Sequence, residues 1–171
     1  MISESARMSS MAEARFRVQA PNSVPRSTKV IALDAAGDTV VRRLADAGRQ
    51  HTAFFTVAAA GKADAADHTQ SASPSTLADL AGRRTALADE IDGADLVVLV
   101  AGPGGGAHAA SLIGEACSQQ RVTTTGFIVG AASASQSALS KTLAQLRPWS
   151  LMVVIASNDE YIDDMLTALR A

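Results

Sequence analysis

Cysteine, histidine and aromatic residues are scarce in this 171-residue chain, which has one Cys, three His, one Trp, one Tyr and four Phe. The lone cysteine, Cys117, has no partner for an internal disulfide, and three scattered histidines offer no metal-ligand spacing. A reducing, cytoplasmic setting fits that composition. Neither sign of charge dominates, since 15 Lys+Arg against 17 Asp+Glu leave a net charge of -2. Without a run of like charges, the chain is not expected to read nucleic acid electrostatically or to anchor to a membrane through a polybasic segment. Its most apolar stretches, around residues 30–33, 96–101 and 151–156, are far shorter than the roughly 20 residues that cross a bilayer, so no membrane span is expected.

What the chain does have is apolar content, 47% by residue, enough for one sizeable core. Residues 1–27, rich in Ser, Arg and Met, contain no apolar stretch that would serve as a secretory signal and read as a disordered tail. From residue 28 to 171, short aliphatic runs alternate with segments of helical period, the pattern of stacked βαβ units. Strands are expected at 29–33, 53–57, 95–101, 123–129 and 151–156. Helices are expected at 39–47, closed by Gly48, and at 109–120, 135–145 and 159–169. Residues 58–75 are small, polar and aperiodic and read as a loop. Leu77, Leu80, Leu87 and Ile91 have helical spacing, so 76–91 reads as one helix broken at Gly82 or two short ones. The expected fold is therefore α/β, a three-layer α/β/α Rossmann-like domain with about five parallel strands.

In such sheets ligands bind at the carboxyl ends of the strands. Three segments fall there: 34–39 (DAAGDT), 102–108 (GPGGGAH) and 157–159 (SND). The second is the most informative. Gly102, Gly104, Gly105 and Gly106 leave backbone amides uncovered between a buried strand and a helix, which suits either an anion or a tight turn without a ligand. There is neither a P-loop lysine nor a GxGxxG spacing. His108 beside that loop is suited to phosphate contact or acid–base work, and equally to an exposed helix start. Asp38 is placed to cap the first helix, while Asp34 is left open as a metal ligand or hydroxyl acceptor. Asn158 and Asp159 are placed to cap the last helix. Cys117 reads as a small buried hydrophobe, and Trp149 as a packing residue. His51 and His68 have no evident role.

Residues 92–110, DGADLVVLVAGPGGGAHAA, resemble the FtsZ/tubulin superfamily of GTPases. Proteins of that superfamily have there a "GAD" turn, a hydrophobic strand, "AG-x-GGG" and the "TGTG" signature. Residues 30–33 (VIAL) with 43–48 (RLADAG) are similar to the family's first strand and helix, and 151–159 (LMVVIASND) to its "LIVIPND" segment. The resemblance implies the nucleotide-binding half of that fold and a site for a guanine nucleotide, GTP or GDP, or another phosphate ligand. Its residues would be Gly37, Gly102, Gly104, Gly105, Gly106, Ala107, His108 and Asn158.

The chain also departs from the family at several of these positions. Two carboxylates, Asp34 and Asp38, stand in the first loop, and only Gly37 of its glycines is kept. Ala107, His108, Ala109 and Ala110 replace the signature, and Gln136 and Ser140 replace the charged ribose contacts. The family's central helix and second, catalytic domain have no counterpart. These departures imply a degenerate domain with a reduced phosphate or guanine-nucleotide site and no GTPase activity of its own. The alternative is an interaction or scaffold module that kept the fold and lost the site. A protein partner or a homo-oligomer through an apolar face goes with both readings. A small hydrolase built on His108 and Asp34 is the weakest reading, because nothing in the spacing resembles a nucleophile–base pair.

Overall fold

The computed structural model describes residues 26–57, 76–104, 106–157 and 160–169. The segments 1–25 and 58–75 lie outside the described residues, and so do Gly105, Asn158 and Asp159; the expected tail, loop and last-helix cap fall there. The order of elements is β1 (Thr28–Ala32), α1 (Ala35–Asp46), β2 (Thr52–Val57), β3 (Thr76–Asp79), β4 (Arg84–Ala86), α2 (Leu87–Ile91), β5 (Leu96–Ala101), α3 (Ala109–Gln119), β6 (Thr123–Ile128), α4 (Gln136–Leu146), β7 (Met152–Ile155) and α5 (Glu160–Ala168). Short 3₁₀ turns at Ala131–Ser133 and Arg147–Trp149 flank α4.

One seven-stranded sheet runs β4-β3-β2-β1-β5-β6-β7. Strands β2, β1, β5, β6 and β7 are mutually parallel, and β3 and β4 join antiparallel beyond β2. Every residue of β5 is buried, as a strand covered on both faces requires. Alternate side chains feed two cores. Ile31, Val97, Leu99 and Ile128 pack against α2, α3 and α4 with Ile91, Ile113, Cys117 and Leu146. Val30, Val98, Val100 and Phe127 pack against α1 and α5 with Val41, Leu44, Ile162 and Leu166. The result is the three-layer Rossmann-like α/β/α fold. Among the described residues, no helix is long and apolar enough to cross a membrane.

The sheet departs from the expected one at residues 76–91, where only Leu87–Ile91 is helical and a β3–β4 hairpin replaces the rest. The reason is turn chemistry. The Asp79 carboxylate accepts the amides of Ala81 and Arg83 at 2.9 and 2.8 Å. Gly82 sits at φ +84, and its amide donates to the Asp79 carbonyl. The hairpin brings the sheet to seven strands rather than five.

The first helix also begins four residues before the expected start. Its N-cap is Asp34, not Asp38. Asp38 instead lies in the first turn and pairs with Arg42 one turn on, at 2.8 Å, where it complements the helix dipole. At the other end Gly48 follows the C-cap Ala47 at φ +69, as a terminating glycine should.

Candidate functional site at the reversal of strand order

The order of connections reverses between β1 and β5, so the crevice above their carboxyl ends is where an α/β sheet of this kind holds a ligand. Leu33 leaves β1 with its amide on the carbonyl of Val100, which carries Asp34 directly over the end of β5. There the half-buried Asp34 carboxylate does two things. Its Oδ1 accepts the amide of Gly37 at 2.8 Å, closing the first turn of α1. The same carboxylate accepts the amide of Gly102, at 3.1 Å to Oδ1 and 2.9 Å to Oδ2.

Gly37 and Gly102 permit this approach by lacking side chains. A Cβ on Gly37 would lie on the carbonyl oxygen of Val100, and one on Gly102 would come within 2.7 Å of Ala36 Cβ. Both therefore serve the packing of α1 on β5, a role that needs no ligand.

The next part of the glycine loop is held from α4. Gly104, at φ +72, donates its amide to the carbonyl of Ala138 at 3.1 Å and to Thr142 Oγ1 at 2.9 Å. The Thr142 hydroxyl in turn donates to the carbonyl of Gly102 at 3.1 Å. Thr142 is fully buried, so its hydroxyl is retained in the core because both of its bonds are made. Sequence reasoning missed it. The available signal was a threonine on the apolar stripe of α4, between Leu139 and Leu146.

Two of the amides that this loop could offer a phosphate, those of Gly102 and Gly104, are thus engaged inside the chain. A carboxylate stands at the crevice in the place of an anion. Ala107 is buried in the α3–α4 core and its side chain lines no crevice. His108 is exposed and precedes α3 as an N-cap residue with no side-chain cap bond. Its Nδ1 lies 3.1 Å from the side-chain amide of Gln145 on α4, within hydrogen-bond distance. His108 is held by Gln145 while Asp34 is held by amides, so the two form no acid–base pair.

Cys117 and Trp149, also singled out from the sequence, lie away from this crevice. Cys117 is buried in the core. Burial pushes its thiol above the ordinary value, offset in part by a hydrogen bond to Thr124, and the result is an inert side chain. Trp149 packs over Gly114 of α3, where any added Cβ would run into the Trp149 side chain, first at its own Cβ and then at the indole. Among the described residues, clefts open elsewhere on the surface. One of about 510 Å³ lies by Gly114, Arg121, Thr123 and Trp149, and one of about 490 Å³ by Phe54, Arg84 and Glu90.

No family model matches the chain, and no curated protein matches it in sequence.

Proposed function

We propose that this chain is a degenerate FtsZ/tubulin-like domain that acts as a non-catalytic interaction module, its nucleotide crevice closed by its own Asp34. The observation that carries this reading is the pair of bonds from the Asp34 carboxylate to the amides of Gly37 and Gly102. An anion-binding crevice works by presenting unpaired amides at a helix N-terminus. Here the side chain supplies the anion, and like charge opposes a polyphosphate brought to the same place. The arrangement fits the phosphates of GTP or GDP poorly. A module of this kind keeps the fold for its surfaces, since a fold does not by itself imply the activity found on it elsewhere.

A thermal-shift series with GTP, GDP, ATP, inorganic phosphate and Mg²⁺ tests the reading. A ligand at a hundredfold excess over its Kd contributes about 2.7 kcal/mol, a readily measured rise in midpoint. The expected result is no rise with any of them at millimolar concentration. A rise with GTP or GDP on the unaltered protein would sink the closed-crevice reading.

A second reading, a reduced phosphate site at Gly106 and His108, is favoured by one observation: α3 starts without a side-chain cap and without an acidic residue in its first turn. It predicts a rise with inorganic phosphate that His108→Ala diminishes. The two readings therefore give opposite results in one assay.

A further inference from the structure

Among the described residues, β7 pairs only with β6, leaving its outer edge open. That edge has none of the features that ordinarily keep an edge strand from pairing. From Leu151 to Ala156 the sequence is LMVVIA, without a charge or a proline. The opposite edge differs. It is the three-residue β4, which begins at the exposed Arg84 and follows the exposed Arg83. The large apolar side chains left exposed also gather toward β7: Leu151 is 86% exposed, Ile155 46%, Met152 38% and Tyr161 at the start of α5 47%. Both faces of the sheet are covered by helices, so the unpartnered apolar surface is an edge and not a face.

We propose that β7 is a self-pairing edge at which a second copy of this chain adds antiparallel about a two-fold axis centred on Val153, making one continuous sheet through the dimer. Two alternations of the strand, of backbone groups and of side chains, set the conditions that a register must meet. Ala156 donates its amide to the carbonyl of Ile128, and with Ile128 opposite Ile155 in the register the backbone groups of Met152 and Val154 face β6. Those of Val153 and Ile155 then face outward. Side chains alternate in the same sense, with Val153 packing on the α3–α4 side and Val154 on the α1–α5 side.

In an antiparallel pair, opposed residues share a face, and hydrogen-bonded pairs form between outward-facing residues. A two-fold axis perpendicular to the sheet meets both conditions when it is centred on a residue. Centring on Val153 sets the side chain of Leu151 opposite Ile155 of the second copy on both sides of the axis, while the Leu151 amide itself stays with the carbonyl of Thr124 in β6 at 2.8 Å, so that pair meets chiefly through its side chains. The two most exposed side chains of the segment then cover each other twice. Centring on Val154 instead leaves Leu151 against the serine at 157. Self-complementarity of this kind is what an isologous interface requires, and it favours a second copy over an unrelated strand. A five-residue pairing with Met152 and Tyr161 at its margin covers on the order of 1,000 Å² in total, the small end of specific interfaces, and suits a dimer of micromolar strength.

Sedimentation velocity on the full chain from about 1 to about 200 µM, a range that brackets such an affinity, tests the proposal. The expected result is a reversible monomer–dimer equilibrium. The double variant Leu151→Lys/Ile155→Lys should remain monomeric throughout with an unchanged circular dichroism spectrum, because both positions are exposed. Val153→Cys should cross-link to a covalent dimer under mild oxidation, since opposed residues of such a pair have Cα atoms about 5.5 Å apart, within disulfide reach. A chain that stays monomeric over the whole range overturns the proposal and leaves the edge to a different partner. A dimer that survives the double lysine variant, or one that forms without the Val153→Cys cross-link, overturns it equally.

Discussion

Removing the Asp34 carboxylate is the most direct perturbation of the crevice, and the structure sets its size. Asp34→Ala deletes the N-cap of α1, a loss of about 1 kcal/mol. It also strips the buried Gly102 amide of the acceptor that it uses at 2.9 Å, and an unpaired donor of that kind costs about 1–3 kcal/mol. Together these give about 2–4 kcal/mol, or roughly 5–15 °C in midpoint for a domain of this size. Asp34→Asn keeps a good cap for Gly37 but has one oxygen where two were in use, so its cost should be nearer 1 kcal/mol. Urea unfolding followed by far-UV circular dichroism measures both, with the slope of the transition unchanged if only the native state is affected. An alanine variant within about 0.5 kcal/mol of the parent would refute the reasoning, because that is the range of a surface substitution that touches nothing. Equal losses for alanine and asparagine would refute it too, by showing that the cap oxygen that asparagine keeps contributes nothing.

Thr142→Val is nearly isosteric but leaves the carbonyl of Gly102 without its hydroxyl donor, and should lower stability by about 1–3 kcal/mol in the same urea assay. Gly114→Ala gains about 1 kcal/mol of helix propensity yet drives a methyl into Trp149, an overpacking that costs about 1–3 kcal/mol. The net loss should reverse to a gain in a Trp149→Gly background, which removes the Trp149 Cβ that the added methyl meets first, and a double-mutant cycle reads that reversal directly. Asp79 is held below the usual carboxylate range, chiefly by its hydrogen bond from the Arg83 amide. Its stabilising contribution is therefore present above the unfolded value near 4 and lost as pH falls below it. The stability difference between the parent and Asp79→Asn should accordingly vanish in acid. Cys117, with its thiol raised by burial, should react with a thiol reagent only at the rate of unfolding. A fast reaction in the native protein would contradict its placement in the core.

The five parallel strands were legible because each is an aliphatic run with no competing signal, β5 above all, with all six residues buried. The β3–β4 hairpin was not, because strands of four and three residues are too short for a period-2 pattern, while leucines at helical spacing imitate a helix. The corrective signal was present in Asp79 and Gly82, first and last residues of a four-residue turn with the residue types such turns favour. Asp34 and Asp38 compete for one cap, and local sequence alone does not choose between them. The choice is made by the Gly102 amide, 68 residues away, which only one of the two can reach. Thr142 was hidden for the same reason, its partner Gly102 lying 40 residues back. Short-range chemistry was readable in the sequence, whereas contacts made by the meeting of β1, β5 and α4 were not.

These long-range bonds belong to one device. Asp34 ties α1 to the end of β5, and Thr142 ties the adjoining glycine loop to α4, so the crevice edge is cross-braced by its own backbone amides. A ligand would have to displace a charge-assisted bond before making one of its own, and such bonds are the stronger kind. The same segment of the fold that would ordinarily bind is thereby turned into support. At the far side of the sheet the balance is reversed: among the described residues the backbone edge of β7 is open and its side chains are apolar. If the crevice is closed and the edge pairs, the chain meets its surroundings along the side of its sheet and not at the top. Crevice and edge are separable in experiment, since nucleotide binding would reopen the crevice without closing the β7 edge, and a strict monomer would leave the crevice shut.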